Sequence, residues 1–254
     1  MADDHLRFGS GREALRSEDD PLLRGGARFT DDVALPGQAF AAFVRSPHGH
    51  ARIQSIRVEK ATASPGVLAV YTGADLARDG LGAIPPAAAL PGRGGKPMFA
   101  APLPPLALER VRYVGEPLAM VVAQTLAQAE DAAAAVEAEL ADLPAASHVE
   151  RALASDAPAL WEAAPGNVAL DWTDGDAAAV QAAFARAAHV EKVELLDTRL
   201  APSALEPRAA IGAWDAKAER YTLIAGTQGV AVVRRLLAEG VFKIPPAKLR
   251  VLTY

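Results

Sequence analysis

The sequence contains no cysteine. Disulfides are therefore excluded, and so are zinc sites and iron–sulfur clusters held by thiolates of this chain. An excess of positive charge is also missing. The net charge is −5, and Lys and Arg are spread out rather than clustered, which argues against a nucleic-acid partner. No apolar run approaches the roughly 18 residues that a membrane-spanning helix needs. The opening Met1-Ala-Asp-Asp-His5 lacks the basic stretch and apolar run of a secretion signal, and it carries no twin-arginine motif. A cytoplasmic location is the expectation.

What is present is a chain of 254 residues that is 51% hydrophobic and 22% charged. This is enough to bury a sizeable core in one large or two smaller domains. Residues 1–28 are polar and read as an extended arm. Strands are predicted at 40–45, 51–58, 67–71 and, as a continuous apolar run, at Pro117-Leu-Ala-Met-Val-Val-Ala123. Thr125 and Gln128 form a capping-box pair for an Ala-rich helix predicted to run to residue 139 or 140. Residues 79–107 are rich in Gly and Pro and read as a long loop, of the kind used for function or at an interface. Residues 141–170 read as a linker region. A second helix is predicted from Ala177 after the acidic Asp174-Gly-Asp. Strands follow at 189–200, 209–214 and 221–225, then a helix at 230–239 and a last strand near 249–253. This mixture indicates an α+β fold. Ending on a strand, the sequence reads as cut short or as completed by another polypeptide. An apolar surface is expected around 220–254.

Catalytic patterns are scarce. His48 and His50 lie two apart, so on a strand they face opposite sides; only a turn would let them share a metal, and no well-spaced Asp or Glu is seen to join them. No Gly-x-Ser-x-Gly elbow occurs. Gly92-Arg-Gly-Gly95 lacks the Gly-Lys-Ser/Thr ending of a phosphate loop. Acidic pairs such as Asp31/Asp32 read as solvated or capping groups. The residues alone identify no metal site and no reaction.

A series of short strings, all in one order, changes this. They are Arg16-Ser-Glu-Asp19, Leu22-Leu-Arg-Gly25, Ala27-Arg-Phe-Thr-Asp-Asp32, Leu35-Pro-Gly37, Ala42-Phe-Val-Arg-Ser-Pro-His48 and His50-Ala-Arg-Ile53. Further on come Pro65-Gly-Val67, Tyr71-Thr-Gly-Ala-Asp75, Val111-Arg-Tyr-Val-Gly-Glu-Pro-Leu-Ala119 and Leu143-Pro-Ala145. The second half adds Ala201-Pro-Ser-Ala-Leu-Glu-Pro-Arg-Ala209, Gly226-Thr-Gln-Gly229, Ile244-Pro and Lys248-Leu-Arg-Val251. Together they resemble the N-terminal portion of the molybdenum hydroxylase large subunits, the xanthine dehydrogenase, aldehyde oxidase and carbon monoxide dehydrogenase large-chain family.

The resemblance implies an N-terminal arm at 1–19, an α/β hammerhead domain at 20–140 and the beginning of the first molybdopterin-binding domain at 141–254. It implies a molybdenum–molybdopterin cofactor shared with a remaining large-subunit portion. FAD and [2Fe-2S] clusters would sit on partner subunits, in keeping with the absent cysteine, and the substrate would be a small molecule. It places Gln228 beside the molybdenum, where a neutral amide offers two donors and one acceptor without adding charge; a Gln capping the 230–239 helix is the alternative. Arg208, in the Glu206-Pro-Arg208 triplet, would hold an anionic substrate or pair with a carboxylate. Glu116 reads as architectural. Leu205 stands where the family commonly has Met, a volume-conserving change. The family's Gly-Gly-Gly-Phe-Gly segment and its C-terminal glutamate base are not in this sequence, so the chain alone is expected to be inactive. The rival reading is a non-catalytic hammerhead scaffold that assembles partner subunits.

Overall fold

The computed structural model describes residues 16–198 and 200–254. Most of the expected N-terminal arm therefore lies outside the described residues. Its described end is not extended: Asp19–Leu23 forms a short helix, α1. Pro21 is tolerated in a first turn, where its missing N–H is not needed, and Asp19 and Asp20 face the positive end of the helix dipole.

Among the described residues three sheets of three strands follow, together with the short helices α2 (Glu59–Thr62), α3 (Gly73–Arg78) and α5 (Val149–Ala152). In the first, β1 (Phe40–Arg45) and β3 (Val67–Thr72) flank a central β5 (Pro117–Ala123), all antiparallel. In the second, β2 (Ala51–Arg57) lies between β4 (Arg110–Val111) and β6 (Glu137–Asp142), again antiparallel. β5 is apolar throughout because both of its faces are covered. Leu118 joins Ala51, Ala107 and Val111 in a core shared with Val44, Ile53, Ile56 and Leu140. Val121, on the other face, packs with Ala61 and Ala132. The helix carrying Ala132 is α4 (Leu126–Ala134), which lies on β1 and β5. Thr125 Oγ1 accepts the Gln128 N–H while the Gln128 side chain accepts the Thr125 N–H, so the predicted capping box is in place.

That helix ends sooner than the sequence suggests. Ala135 closes it, and residues 137–140, expected to be helical, form β6 together with residues 141–142, expected to be linker. Alanine-rich propensity favours helix here by only tenths of a kcal/mol per residue. The ladder with β2 offers more, since Arg57 Nε donates to Glu137 and Ser55 Oγ to Glu139 across the strands. The strand expected at 189–200 is likewise absent over the described residues 189–198, which have no neighbouring strand to pair with and are exposed.

The second half of the chain carries the third sheet. β7 (Ala210–Asp215) and β8 (Arg220–Ala225) form an antiparallel hairpin, and β9 (Leu249–Leu252) runs parallel to β8. The β8-to-β9 crossover is α7 (Val230–Arg235), continued by a π-helical stretch Leu236–Phe242 in place of a plain helix to 239. Lys243 then takes a left-handed conformation, and the Ile244 N–H reaches back to the Ala238 carbonyl.

The long loop at 79–107 ties the two halves together. The Gly82 N–H donates to the Val241 carbonyl at 2.8 Å, and Phe99 N–H donates to the Ala169 carbonyl. Arg93 grips Asp171 through both its backbone and its guanidinium. The linker region 141–170 is pinned by Asn167, whose side chain bonds Leu160 N–H and the Ala152 and Pro158 carbonyls. Arg112 lies 3.5 Å above the Trp161 ring and donates to the Leu160 carbonyl. By contrast α6 (Ala177–Arg186) buries no residue. Trp172, Phe184, Leu195 and Leu196 are all more than half exposed, so apolar exposure is heavier over 172–205 than around 220–254, where Tyr221, Val230, Val232 and Tyr254 are exposed.

Candidate functional site

Open sheets with parallel strands bind ligands beyond the strands' carboxyl ends, where backbone groups are left without ladder partners. Here that place lies beyond Ala225 of β8 and Leu252 of β9. The loop Gly226–Gly229 leaves β8 and enters α7 there, next to the residues that follow β9. The Thr227 N–H donates to Thr253 Oγ1 at 3.4 Å, and Thr227 Oγ1 in turn accepts the Gly229 N–H at 3.3 Å. Gln228, between them, is exposed, and among the described residues its amide makes no hydrogen bond. The N-cap of α7 is Gly229, without a side-chain cap. The capping alternative for Gln228 therefore finds no support in this geometry.

A second string converges on the same end of the sheet. Glu206 accepts hydrogen bonds from both the backbone N–H and the hydroxyl of Thr30, at 3.2 and 3.1 Å. Its other carboxylate oxygen crowds Gly226, where a Cβ would stand only 2.9 Å away. Thr30 is fully buried in a 3-10 turn, Thr30–Asp32. The neighbouring Arg28 lies 5.0 Å from the ring of Tyr254. The Glu206-Pro-Arg208 and Gly226-Thr-Gln-Gly229 strings are thus brought together, with the turn of the first half clamped against them. Arg208 itself is exposed and makes no ion pair among the described residues. Sequence reasoning missed the Thr30–Glu206 link. The two residues are 176 positions apart, and only their both lying in quoted motif strings hinted at a shared place.

Other singled-out residues sit elsewhere. Glu116 is buried beside β5, where its carboxylate accepts the Arg112 N–H and its carbonyl accepts the Ser46 N–H. Burial pushes its pKa up, against the opposing pull of the Arg112 and Tyr113 N–H groups and the Arg112 charge. His48 does find an acidic neighbour, contrary to the sequence expectation: Asp142 reaches it from the end of β6. His50 is buried, with Nδ1 2.7 Å from the Pro144 carbonyl oxygen and Nε2 without a partner among the described residues. No group of three or more His, Cys, Asp or Glu able to hold a metal gathers among the described residues.

Residues 24–144 match the family model for the a/b hammerhead domain of aldehyde oxidase and xanthine dehydrogenase. Residues 160–254 match the model for the molybdopterin cofactor-binding domain. The chain belongs to the aldehyde oxidase and xanthine dehydrogenase family. Family relatives include the carbon monoxide dehydrogenase large chain of Afipia carboxidovorans, 35% identical over 91% of this chain and 29% of its own length. The nicotine 6-hydroxylase large subunit of Paenarthrobacter nicotinovorans is 34% identical over 90% of this chain and 27% of its own. Among solved structures, quinoline 2-oxidoreductase from Pseudomonas putida 86 superimposes with a TM-score of 0.82 at 33% identity, covering 96% of this chain and 30% of that one. The fold is therefore that of the hammerhead followed by the start of a molybdopterin-binding domain. The chain spans about 30% of the length of these relatives. Within this family, the Gly226–Gly229 loop falls inside the residues that match the cofactor-binding domain.

The donor set fits such a cofactor in kind. Among the described residues Gln228 presents an unpartnered neutral amide, while the Thr227 and Gly229 N–H groups of the same loop are already engaged. The loop has only two polar side chains, however, and that of Thr227 already accepts the Gly229 N–H, whereas a cofactor pocket normally encloses its ligand with several free polar groups.

Proposed function

We propose that this chain is the N-terminal part of the molybdopterin-binding subunit of a molybdenum-dependent oxidoreductase, with residues 20–140 as the hammerhead and 141–254 as the beginning of the cofactor-binding domain. The observation that carries the reading is Gln228: a free amide at the carboxyl ends of parallel strands, inside the stretch matching the cofactor-binding domain. When bound, the molybdenum–molybdopterin group would supply oxidation of a carbon centre, of an aldehyde, N-heterocycle or carbon monoxide type of substrate. Gln228 would hydrogen-bond the group without adding charge to it. Glu206 would hold the loop in place through Thr30. Arg208, which makes no ion pair among the described residues and lies two residues from Glu206, is available to an anionic substrate group. A remaining large-subunit portion would cover the exposed apolar stretch 172–205, and FAD and [2Fe-2S] clusters would be carried by partner subunits. The site of action would be the cytoplasm; no helix among the described residues is long and apolar enough to cross a membrane.

The test is reconstitution. Alone, the chain should not retain molybdopterin and should show no hydroxylase activity. Complemented by the remaining large-subunit portion and the two redox subunits, it should become active. In that complex Gln228→Ala should lower turnover by roughly ten- to a thousandfold, the range for removing one preorganised donor from an active site. Full activity in the variant would place another residue beside the metal. Stoichiometric metal on the isolated chain would refute its being a partial site, and a reconstituted complex that forms without activity would favour the scaffold.

A further inference from the structure

The third sheet carries a second feature, which the proposed function does not use. Between α7 and the β8–β9 pair lies a concavity of about 230 Å³. Its walls include Arg220, Arg234 and Arg250, together with Val230, Leu249 and Val251, and no acidic residue. The register explains two of the three. Thr222 stands opposite Arg250, and Arg220 precedes Thr222 by two, so Arg220 and Arg250 share one face of the sheet. Arg234 comes from α7, which packs on β9.

None of the three arginines makes an ion pair or hydrogen bond among the described residues. The nearest acidic position in sequence, Glu219, is already engaged: it accepts from Lys248 at 2.9 Å. Asp215, which opposes Arg220 in the β7–β8 hairpin, accepts the N–H groups of Lys217 and Ala218. Guanidinium groups stay charged at all accessible pH values, and each presents a fork of donors matched to oxyanions. Three such charges lining one concavity, with no acidic residue in its walls, make the local potential positive and favour an anion there. Arg220 opens β8, whereas Gln228 lies beyond its last residue. The concavity nevertheless reaches along α7 as far as Val230, which directly follows Gly229, so it borders the Gln228 loop without including Gln228.

We propose that the Arg220–Arg234–Arg250 concavity is a binding site for a phosphate-class oxyanion, free or carried as a phosphomonoester. The multiple negative charge answers three cations, and the tetrahedral oxygens can each meet a separate guanidinium. Singly charged anions lack both features and bind weakly.

Isothermal titration of the 254-residue chain at fixed ionic strength tests this, with inorganic phosphate, glycerol phosphate and acetate as the probes. Saturable 1:1 binding of phosphate is expected, with acetate at least tenfold weaker. Arg234→Gln and Arg250→Gln should each weaken phosphate by about tenfold or more, the loss of one charge-assisted contact. Arg234→Lys, which keeps the charge but not the fork, should fall between. Arg151→Gln, away from the concavity, should bind as the parent does. Circular dichroism of each variant separates lost binding from lost fold, and these exposed side chains should leave the fold intact. Tighter binding of glycerol phosphate than of phosphate identifies an esterified ligand; the reverse identifies the free ion. Linear, non-saturating heats would overturn the proposal, as would equal affinity for acetate, or phosphate binding that survives the Arg234→Gln/Arg250→Gln double variant.

Discussion

Gly82 offers a test of how the two halves of the chain are held together. Its N–H donates to the Val241 carbonyl at 2.8 Å, and a Cβ on it would stand 2.1 Å from the Gly240 carbonyl oxygen. That is more than an ångström short of ordinary contact, and the obstacle is backbone in a π-helical turn, not the tip of a flexible side chain. Gly82→Ala must therefore push the 79–85 loop off the turn. Overpacking of this kind costs about 1–3 kcal/mol. The displaced hydrogen bond adds about 1 kcal/mol. Restricting the unfolded chain returns about 0.4–1 kcal/mol. The net destabilisation is about 1–3.6 kcal/mol, which for a chain of this size lowers the melting temperature by roughly 2–14 °C. Gly240→Ala, whose Cβ would meet Pro85 Cδ at 2.5 Å, should act in the same direction. Gly212→Ala is the control: in β7 it has nothing within 4 Å and no left-handed φ, so its midpoint should match the parent or exceed it. Urea unfolding of the three variants, read by circular dichroism, decides the matter. A Gly82→Ala midpoint equal to that of Gly212→Ala would refute the close docking of loop on turn.

Other variants probe the clamp and its surroundings. Thr30→Val removes one of the hydrogen bonds to Glu206 from a fully buried position and should cost about 1–2 kcal/mol in urea unfolding. Trp161→Leu should cost about 2–4 kcal/mol, combining the truncated ring with a cation–π contact worth up to about 2 kcal/mol, and Arg112→Leu combined with it should be less than additive because the guanidinium lies 3.5 Å from the ring centroid. Asp75 and Glu116 should give opposite pH dependences. The Thr72 hydroxyl, the Thr72 N–H and Arg78 hold the Asp75 carboxylate below its usual range, so its stabilisation is full above the unfolded value and is lost as pH falls through the folded one; Asp75→Asn should flatten the acid limb of the stability curve. Burial raises Glu116, so its contribution is full below the ordinary glutamate range and is lost as pH rises through the raised value. Glu116→Gln should remove that decline, and an unchanged slope in unfolding midpoints above the ordinary glutamate range would contradict it.

What could be read from the sequence follows the range of the interaction that fixes each element. The capping box at Thr125 and Gln128 and the apolar run of β5 are local patterns, and both stand in the structure as read. Residues 137–140 read as helix because their Ala-Glu composition speaks only for propensity, whereas the ladder to β2 that makes them a strand, with Glu137 on Arg57, is 80 positions distant. The strand expected at 189–200 failed for the complementary reason: Val190, Val193, Leu195 and Leu196 have the residue types of a strand, but no partner strand lies beside the described residues. The site divides in the same way. Gln228 could be singled out because the short string around it resembles a family motif. That Glu206 would reach Thr30 and press on Gly226 depends on the packing of a turn, a sheet end and a loop drawn from three distant stretches, and no spacing in the chain encodes it. The arginine concavity is intermediate: Arg220 and Arg250 share a face by simple alternation, but only once the parallel pairing of β8 with β9 is known.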